Sequence, residues 1–398
     1  MKGQTYMHSI KTKETQSLPL RNRYVPGLDG LRAFAVLAVV MYHLKLNHFA
    51  PGGLIGVGIF FVLSGYLITD ILLTQWRNHG KMNLHDFWIK RARRLLPGLL
   101  FLLIVVVIGI TISNPSRLVN LWGDLLASLL YITNWWFIVS DASYFSHFST
   151  PSPLLHLWSL AVEEQFYLIW PFLLALGLGV IRKRKWMVMF ILLGAFISAL
   201  AMALLYQPGL LDQSRIYYGT DTRAFALLMG AALAFYCPLQ TIPEKIATFR
   251  RVRVIVTLLG VAGFITLLWM ILFTNEVDPF LYKGGMVLQC LATVALMMAI
   301  VYPSAKWFHR IWEWAPLRWL GIRSYGIYLW HFPILALPLP TILGGEEFAI
   351  VRAVIQVSII IIIATFSWEF IEKPIRYRHT KSSFEDQENI TKIPYRPV

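Results

Sequence analysis

Two cysteines in 398 residues leave this sequence without a disulfide framework or a clustered thiol metal site. Cys237 and Cys290 fall in or beside apolar runs and lack the paired spacing of metal ligands, so no resident metal or redox centre is expected. Charge is scarce too. Only 14% of residues are Asp, Glu, Lys or Arg, against 57% hydrophobic, and the mean hydropathy is +0.59. A soluble domain carries about 25% charged residues and a disordered chain more, which excludes both. What remains is a polytopic membrane protein. Acid is the scarcer sign, since 21 Asp and Glu stand against 36 Lys and Arg for a net charge of +15. No internal repeat of about 20 to 50 residues is visible, nor similarity between the two halves.

About 20 apolar residues cross a bilayer as a helix. Such stretches are read near 29–47, 54–75, 95–113, 156–180, 187–206, 222–237, 254–274, 284–302, 319–340 and 349–371. The expected fold is all-α, with about ten transmembrane helices. The segment 121–138 carries Asp124, Asn134 and the Trp135-Trp136 pair, and reads as an interfacial or re-entrant piece. The first 27 residues are polar and basic, lack a small-residue cleavage site and run into an apolar segment, which predicts an uncleaved anchor. With the N-terminus in the cytoplasm, "KRARR" (90–94), "RKRK" (182–185), "FRRVR" (249–253), the stretch from Lys306 to Arg318 and the C-terminal tail all fall on that side. Arg117, Arg215 and Lys283 then lie outside, beside the acidic Asp141, Asp212, Glu276, Asp278, Glu346 and Glu347. This asymmetry predicts both termini in the cytoplasm. It also assigns the basic charge to a lipid bilayer and leaves no role for nucleic acid. The expected organisation is a cytoplasmic segment (1–27), a transmembrane domain (28–376) and a polar, disordered cytoplasmic tail (377–398).

Several charges sit inside the apolar runs, where each costs roughly 2.5 to 3.5 kcal/mol on insertion scales. In "GLRAFAVLAVVMYHLKLNHF" (30–49), the eleven-residue step from Arg32 to His43 returns to within about 20° of three full turns, about 16 Å along the axis. Both side chains share one stripe at two depths. Asp29 reads as the N-cap of that helix. "LLHLWSLAVEEQFYLIWP" (154–171) carries His156 and Glu163 on one face, with Glu164 about 100° away. Adjacent carboxylates repel when both are ionised, so one is expected protonated or paired with a cation, and Arg223 and Arg323 are candidates for a structural pair. In "FWIKRARRLLPG" (87–98), Arg91 and Arg94 project two guanidinium forks from one face. Such forks suit phosphate, although positive-inside anchoring explains the same pattern. "GTDTRAFALLMGAALAF" (219–235) brings Asp221 and Arg223 to an outer helix end, followed by small residues suited to close packing. "RSYGIYLWHFP" (323–333) places Arg323, Ser324, Tyr325, Tyr328 and His331 along a span that starts on the inner side. Ser64-Gly65 reads as a packing notch ahead of a nucleophile. Buried together, these charges demand a polar cavity, which implies a transporter, a channel or an enzyme acting within the membrane.

Taken in order, "YVPGLDGLRAFAVLAVVMYH", "GVGIFFVLSGYLI", "FWIKRARRLLP", "HLWSLAVEEQFY", "YYGTDTRAFALLMG", "SYGIYLWHFP" and "WEFIEKPIR" cover residues 24 to about 376. The chain resembles the acyltransferase-3 membrane family, in particular the membrane half of OatA-type peptidoglycan O-acetyltransferases. The resemblance implies transfer of an acyl group, usually acetyl, from cytoplasmic acyl-CoA to a hydroxyl of an extracytoplasmic glycan or other envelope molecule, in a multi-pass protein of the bacterial cytoplasmic membrane. Acetyl-CoA is then a substrate, and no permanently bound cofactor is implied. The family's arginine and histidine of the first helix match Arg32 and His43, its R-x-x-R motif matches Arg91 and Arg94, and its glutamate-bearing helix matches Glu163 and Glu164. On that basis His43, Arg32 and Glu163 are expected to be catalytic and Arg91 and Arg94 to bind acyl-CoA. Glu164, His156, Asp221, Arg223, Arg323, Tyr325 and His331 are expected to support them. Glu163 could orient either His43 or His156, and direct transfer and an acyl-enzyme on Ser, Tyr or His both stay open.

Two departures stand out. Gly58 occupies the place of an aspartate that many relatives carry, and no extracellular SGNH domain follows, so the chain is either a single-domain member served by a separate SGNH-type transferase or part of a longer protein. The rival reading, a transporter of an acyl donor or lipid-linked glycan, requires inverted repeats that are not visible.

Overall fold

The computed structural model describes residues 24–377 except 45, 47–48, 114, 146–151, 182, 211, 240–248, 303–304 and 337–345. The cytoplasmic segments expected at the two ends thus lie almost wholly outside the described residues, and their sidedness with them. Every regular element among the described residues is helical. Eight helices there are long and apolar enough to cross a membrane. The molecule is a multi-pass, all-α membrane protein.

The first span, α1 (Pro26–Leu44), leads through a single 3-10 turn into α2 (Gly56–His79). Gly80, at φ 65°, ends α2 in the left-handed conformation that glycine adopts at least cost, and its N–H bonds the Trp76 carbonyl. Then come α3 (Leu84–Ser113) and two short helices, α4 (Arg117–Leu129) and α5 (Thr133–Val139). Neither short helix, of 13 and 7 residues, is long enough to span a bilayer. Asn134 is buried and donates to the Tyr218 carbonyl (3.1 Å) and to Thr220 (2.9 Å), while its own amide oxygen accepts from Gln165 (2.9 Å). Its polar groups are satisfied by the neighbouring helices, which is what burial inside a membrane requires.

The second half begins with α6 (Leu157–Val180) and α7 (Arg184–Leu205), then the short α8 (Ser214–Tyr218) and α9 (Thr220–Tyr236). Next come α10 (Arg250–Phe273) and, after a π-helical turn, α11 (Met286–Val301). The segment expected as one span near 319–340 is instead two helices, α13 (Ala315–Ile322) and α14 (Ser324–Leu335), after a short α12 (Lys306–Trp312). The break falls at Arg323, which leaves helical geometry and bonds Glu369 in the π-helical turn (Trp368–Glu372) after α15 (Ala349–Ser367).

Close packing uses the small residues. A Cβ on Gly65 would strike the Leu227 carbonyl, and one on Gly230 would strike the Val62 carbonyl, so α2 and α9 touch backbone to backbone. On α1, Gly30 meets the Trp312 carbonyl in the same way, while Gly321 of α13 meets that of Asp29. Separately, α1 packs against both α2 and α14, and α2 against α6, and that arrangement builds the site.

Candidate active site

Three of the helices that carry the site each contribute to it at two depths. Arg32 and His43 mark them on α1, Glu163 and His156 on α6 and its N-cap, and Tyr325 and His331 on α14. The steps are eleven, seven and six residues, or about 16, 10 and 9 Å at 1.5 Å each. One level is therefore arginine and carboxylate, the other imidazole.

At the first level lies a cavity of about 90 Å³, counted as the space open to the centres of water molecules. One water needs roughly 10 to 15 Å³ on that measure, so several fit, or a thioester in their place. Arg32, Arg91, Arg94, Glu163, Tyr167, Ser64 and Tyr325 line it, with Phe60, Phe61, Leu63 and Leu160 among its apolar walls. Asp29 does not cap α1. It lies in the first turn, where one carboxylate oxygen accepts from Arg32 (3.0 Å) and the other from the Tyr24 hydroxyl (2.5 Å). Sequence reasoning missed this because a first-turn Asp followed three residues later by Arg satisfies both patterns. Outside the spans, the partly exposed Tyr24 sits beside that carboxylate, and partial desolvation and the Asp29 charge push its phenol well above the ordinary value.

Glu163 accepts from the Tyr167 hydroxyl (3.0 Å) and sits in reach of Ser64, Arg94 and Arg32. Its bonds run to hydroxyls, not to His43 or His156. Gly65 is the packing notch, while Ser64 beside it faces the cavity. Glu164 lies outside the cavity lining, within electrostatic reach of Arg91 and Arg94. The suggested structural pairs to Arg223 or Arg323 do not form: Arg323 bonds Glu369 (3.0 Å), and Arg223 lies against the rings of Tyr217, Phe61 and Trp158. Arg223 is 1% exposed and contacts the Met286 sulfur, an environment that holds the cation by ring faces. Asp221 pairs with Arg215 on the surface (2.9 Å), apart from both levels.

At the second level, His43, His156 and His331 gather around Phe332. The ring centroids of His43 and His331 are 5.0 Å apart, and those of His156 and His331 5.3 Å. Nδ1 of His43 lies 2.9 Å from the Val39 carbonyl, which can only accept, so Nδ1 carries the proton in the neutral ring. Nε2 then presents its lone pair to the Tyr144 hydroxyl at 3.0 Å. Tyr144 comes from the loop before α6, and no spacing in the sequence ties it to His43. Between the levels, the Tyr328 hydroxyl lies 2.5 Å from Ser159 Oγ and donates to the His156 carbonyl (3.0 Å). Ser159 and Tyr328 also line the cavity and so form the boundary between levels.

Gly58 has a structural counterpart. A Cβ there would collide with the side-chain oxygen of Gln289, which is buried and bonds Thr293 (3.0 Å). Gln289 fills the space into which a larger residue at position 58 would project.

A family model described as an acyltransferase domain matches residues 25–369. The chain is 48% identical over 357 residues to "Peptidoglycan O-acetyltransferase OatA" of Listeria monocytogenes, covering 89% of this chain and 56% of that protein. It is 45% identical over 368 residues to "Putative peptidoglycan O-acetyltransferase YrhL" of Bacillus subtilis, covering 91% and 56%. The chain thus spans about half the length of these curated relatives. No solved structure matches it significantly. With the domain running across nearly all of its described length, the chain belongs to the acyltransferase-3 family.

Proposed function

We propose that this chain is a membrane O-acetyltransferase of the bacterial cytoplasmic membrane. It takes acetyl from cytoplasmic acetyl-CoA and delivers it directly to a hydroxyl of an extracytoplasmic envelope glycan. The observation that carries this reading is the single cavity on which Arg32, Arg91, Arg94 and Glu163 converge in a chain of this family. The relatives' names add the acetyl group and the glycan.

In this reading Arg91 and Arg94 take the CoA phosphates, since guanidinium forks bind phosphate oxygens two at a time. Arg32, held by Asp29, meets the thioester carbonyl. A fixed cation there stabilises the oxyanion that develops as the carbonyl is attacked. His43 takes the proton of the acceptor hydroxyl, because its Nδ1–H is fixed on Val39 and its Nε2 is the basic atom. Tyr144 holds that atom until the acceptor arrives.

The test uses purified protein in proteoliposomes, with labelled acetyl-CoA outside and the N-acetylglucosamine tetramer in the lumen. Only molecules with their CoA site outward turn over. Acetyl ester on the tetramer is expected, and replacing His43 with alanine should lower it at least a hundredfold at unchanged insertion. An unlabelled tetramer, or an active His43→Ala protein, would overturn the reading.

A further inference from the structure

The proposed reaction, on which this inference rests, sets a proton-balance problem. The thioester C–S bond breaks and its electron pair stays on sulfur. An ester bond forms to the acceptor oxygen, whose O–H bond breaks. Sulfur therefore departs toward the Arg91 side of the reacting carbon while the proton is taken on the His43 side, between Arg32 and His43, whose backbones stand about 16 Å apart along α1. If that proton left into the water beside His43, each turnover would move one positive charge across the membrane.

The structure offers another way. Nδ1 of His331 lies 2.5 Å from the Tyr328 carbonyl, so Nδ1 carries the proton and Nε2 holds a bare lone pair. Nε2 is buried and has no hydrogen-bond partner among the described residues. A buried acceptor left unpaired is unfavourable and calls for a role. The His331 ring is 5.0 Å from that of His43 on one side and 5.1 Å from that of Tyr328 on the other. The Tyr328 hydroxyl meets Ser159, and both open on the cavity that holds Glu163. Around Glu163 stand Ser64 on α2, Arg94 on α3, Arg32 on α1 and Tyr167 on its own helix.

We propose that the proton of the acceptor hydroxyl returns through the protein, from His43 to His331, across the Tyr328–Ser159 hydroxyl pair and into the cavity at Glu163, where the departing sulfur takes it. CoA leaves as the thiol, and the acetyl transfer is electroneutral. The hydroxyl pair serves as a proton bridge, and water in the cavity completes the path to sulfur.

The proteoliposomes described above, loaded with a lumenal pH dye and the N-acetylglucosamine tetramer, test this. For the unaltered protein the expected result is ester formation without lumenal acidification, at a rate indifferent to valinomycin and potassium. In the double variant Ser159→Ala with Tyr328→Phe, about one proton per ester should appear in the lumen. Its turnover should stall unless valinomycin and potassium dissipate the lumen-positive potential that builds. One lumenal proton per ester in the unaltered protein, or a double variant with no lumenal proton, would overturn the proton path while leaving acetyl transfer standing. Absence of ester from the unaltered protein would overturn the transfer reading and the path together.

Discussion

Arg32 is set apart from the other buried arginines by its partner. Asp29 fixes one guanidinium nitrogen at 3.0 Å while the side chain lines the cavity, so the fork is aimed before any ligand arrives. A lysine keeps the charge but has no planar fork to place against both Asp29 and a carbonyl. Arg32→Lys should therefore lower acetyl transfer by about 10² to 10³, the loss typical of removing one oxyanion donor. Asp29→Asn should fall between the two in kcat, because the fork survives and its aim does not. Turnover of labelled acetyl-CoA at matched protein levels checks both, and an Arg32→Lys protein of unchanged kcat would remove Arg32 from the chemistry. At this scale much of the arginine and carboxylate level was legible in sequence, since a charge in an apolar run stands out by its cost. Most of the hydroxyls were less so. Tyr328 stands out only with the other polar residues of its span, Ser159 and Tyr167 are ordinary residues of membrane helices, and Tyr144 reaches His43 from a loop 101 residues away.

Periodicity located the spans but could not see which helices approach to backbone contact. Gly65 and Gly230 make the α2–α9 contact mutually exclusive with side chains at either position. Gly230→Leu should cost at least the 1 to 3 kcal/mol of ordinary overpacking, because the obstacle is a carbonyl that cannot rotate away. The measurement is the melting temperature in detergent. Gly109→Ala, where a Cβ on α3 meets nothing within 4 Å, should leave it unchanged or raise it slightly. Position 58 supplies a second test on the same helix. Gly58→Asp should destabilise by collision with Gln289, whereas Gly58→Asp with Gln289→Ala should regain most of the loss. A single variant as stable as the parent would show that Gln289 yields freely. The break at Arg323 escaped the sequence reading for a different reason. Arg323 at the break pairs with Glu369, 46 residues away, a contact no local pattern announces, while the local sequence "LGIRSYGIYLW" has the apolar content of an unbroken span.

The whole molecule is oriented by where its charges fall. Lys306 and Arg310 lie on α12 at the Arg32 end of α1, whose Gly30 packs on Trp312, whereas Glu276 contacts Tyr42 beside His43. If the Arg91 end meets cytoplasmic acyl-CoA, Arg310 must be reachable only from the cytoplasm and Asn275 only from outside. The chain suits this test, since Cys237 and Cys290 are both buried and should stay silent to a membrane-impermeant maleimide. Asn275→Cys should label in intact cells, and Arg310→Cys only in inverted vesicles, each giving at least a tenfold contrast between the two preparations. The reverse pattern would place the guanidinium forks on the side that has no acyl-CoA, and neither the positive-inside asymmetry nor the two-level site could then be read in the direction argued from Arg32 to His43.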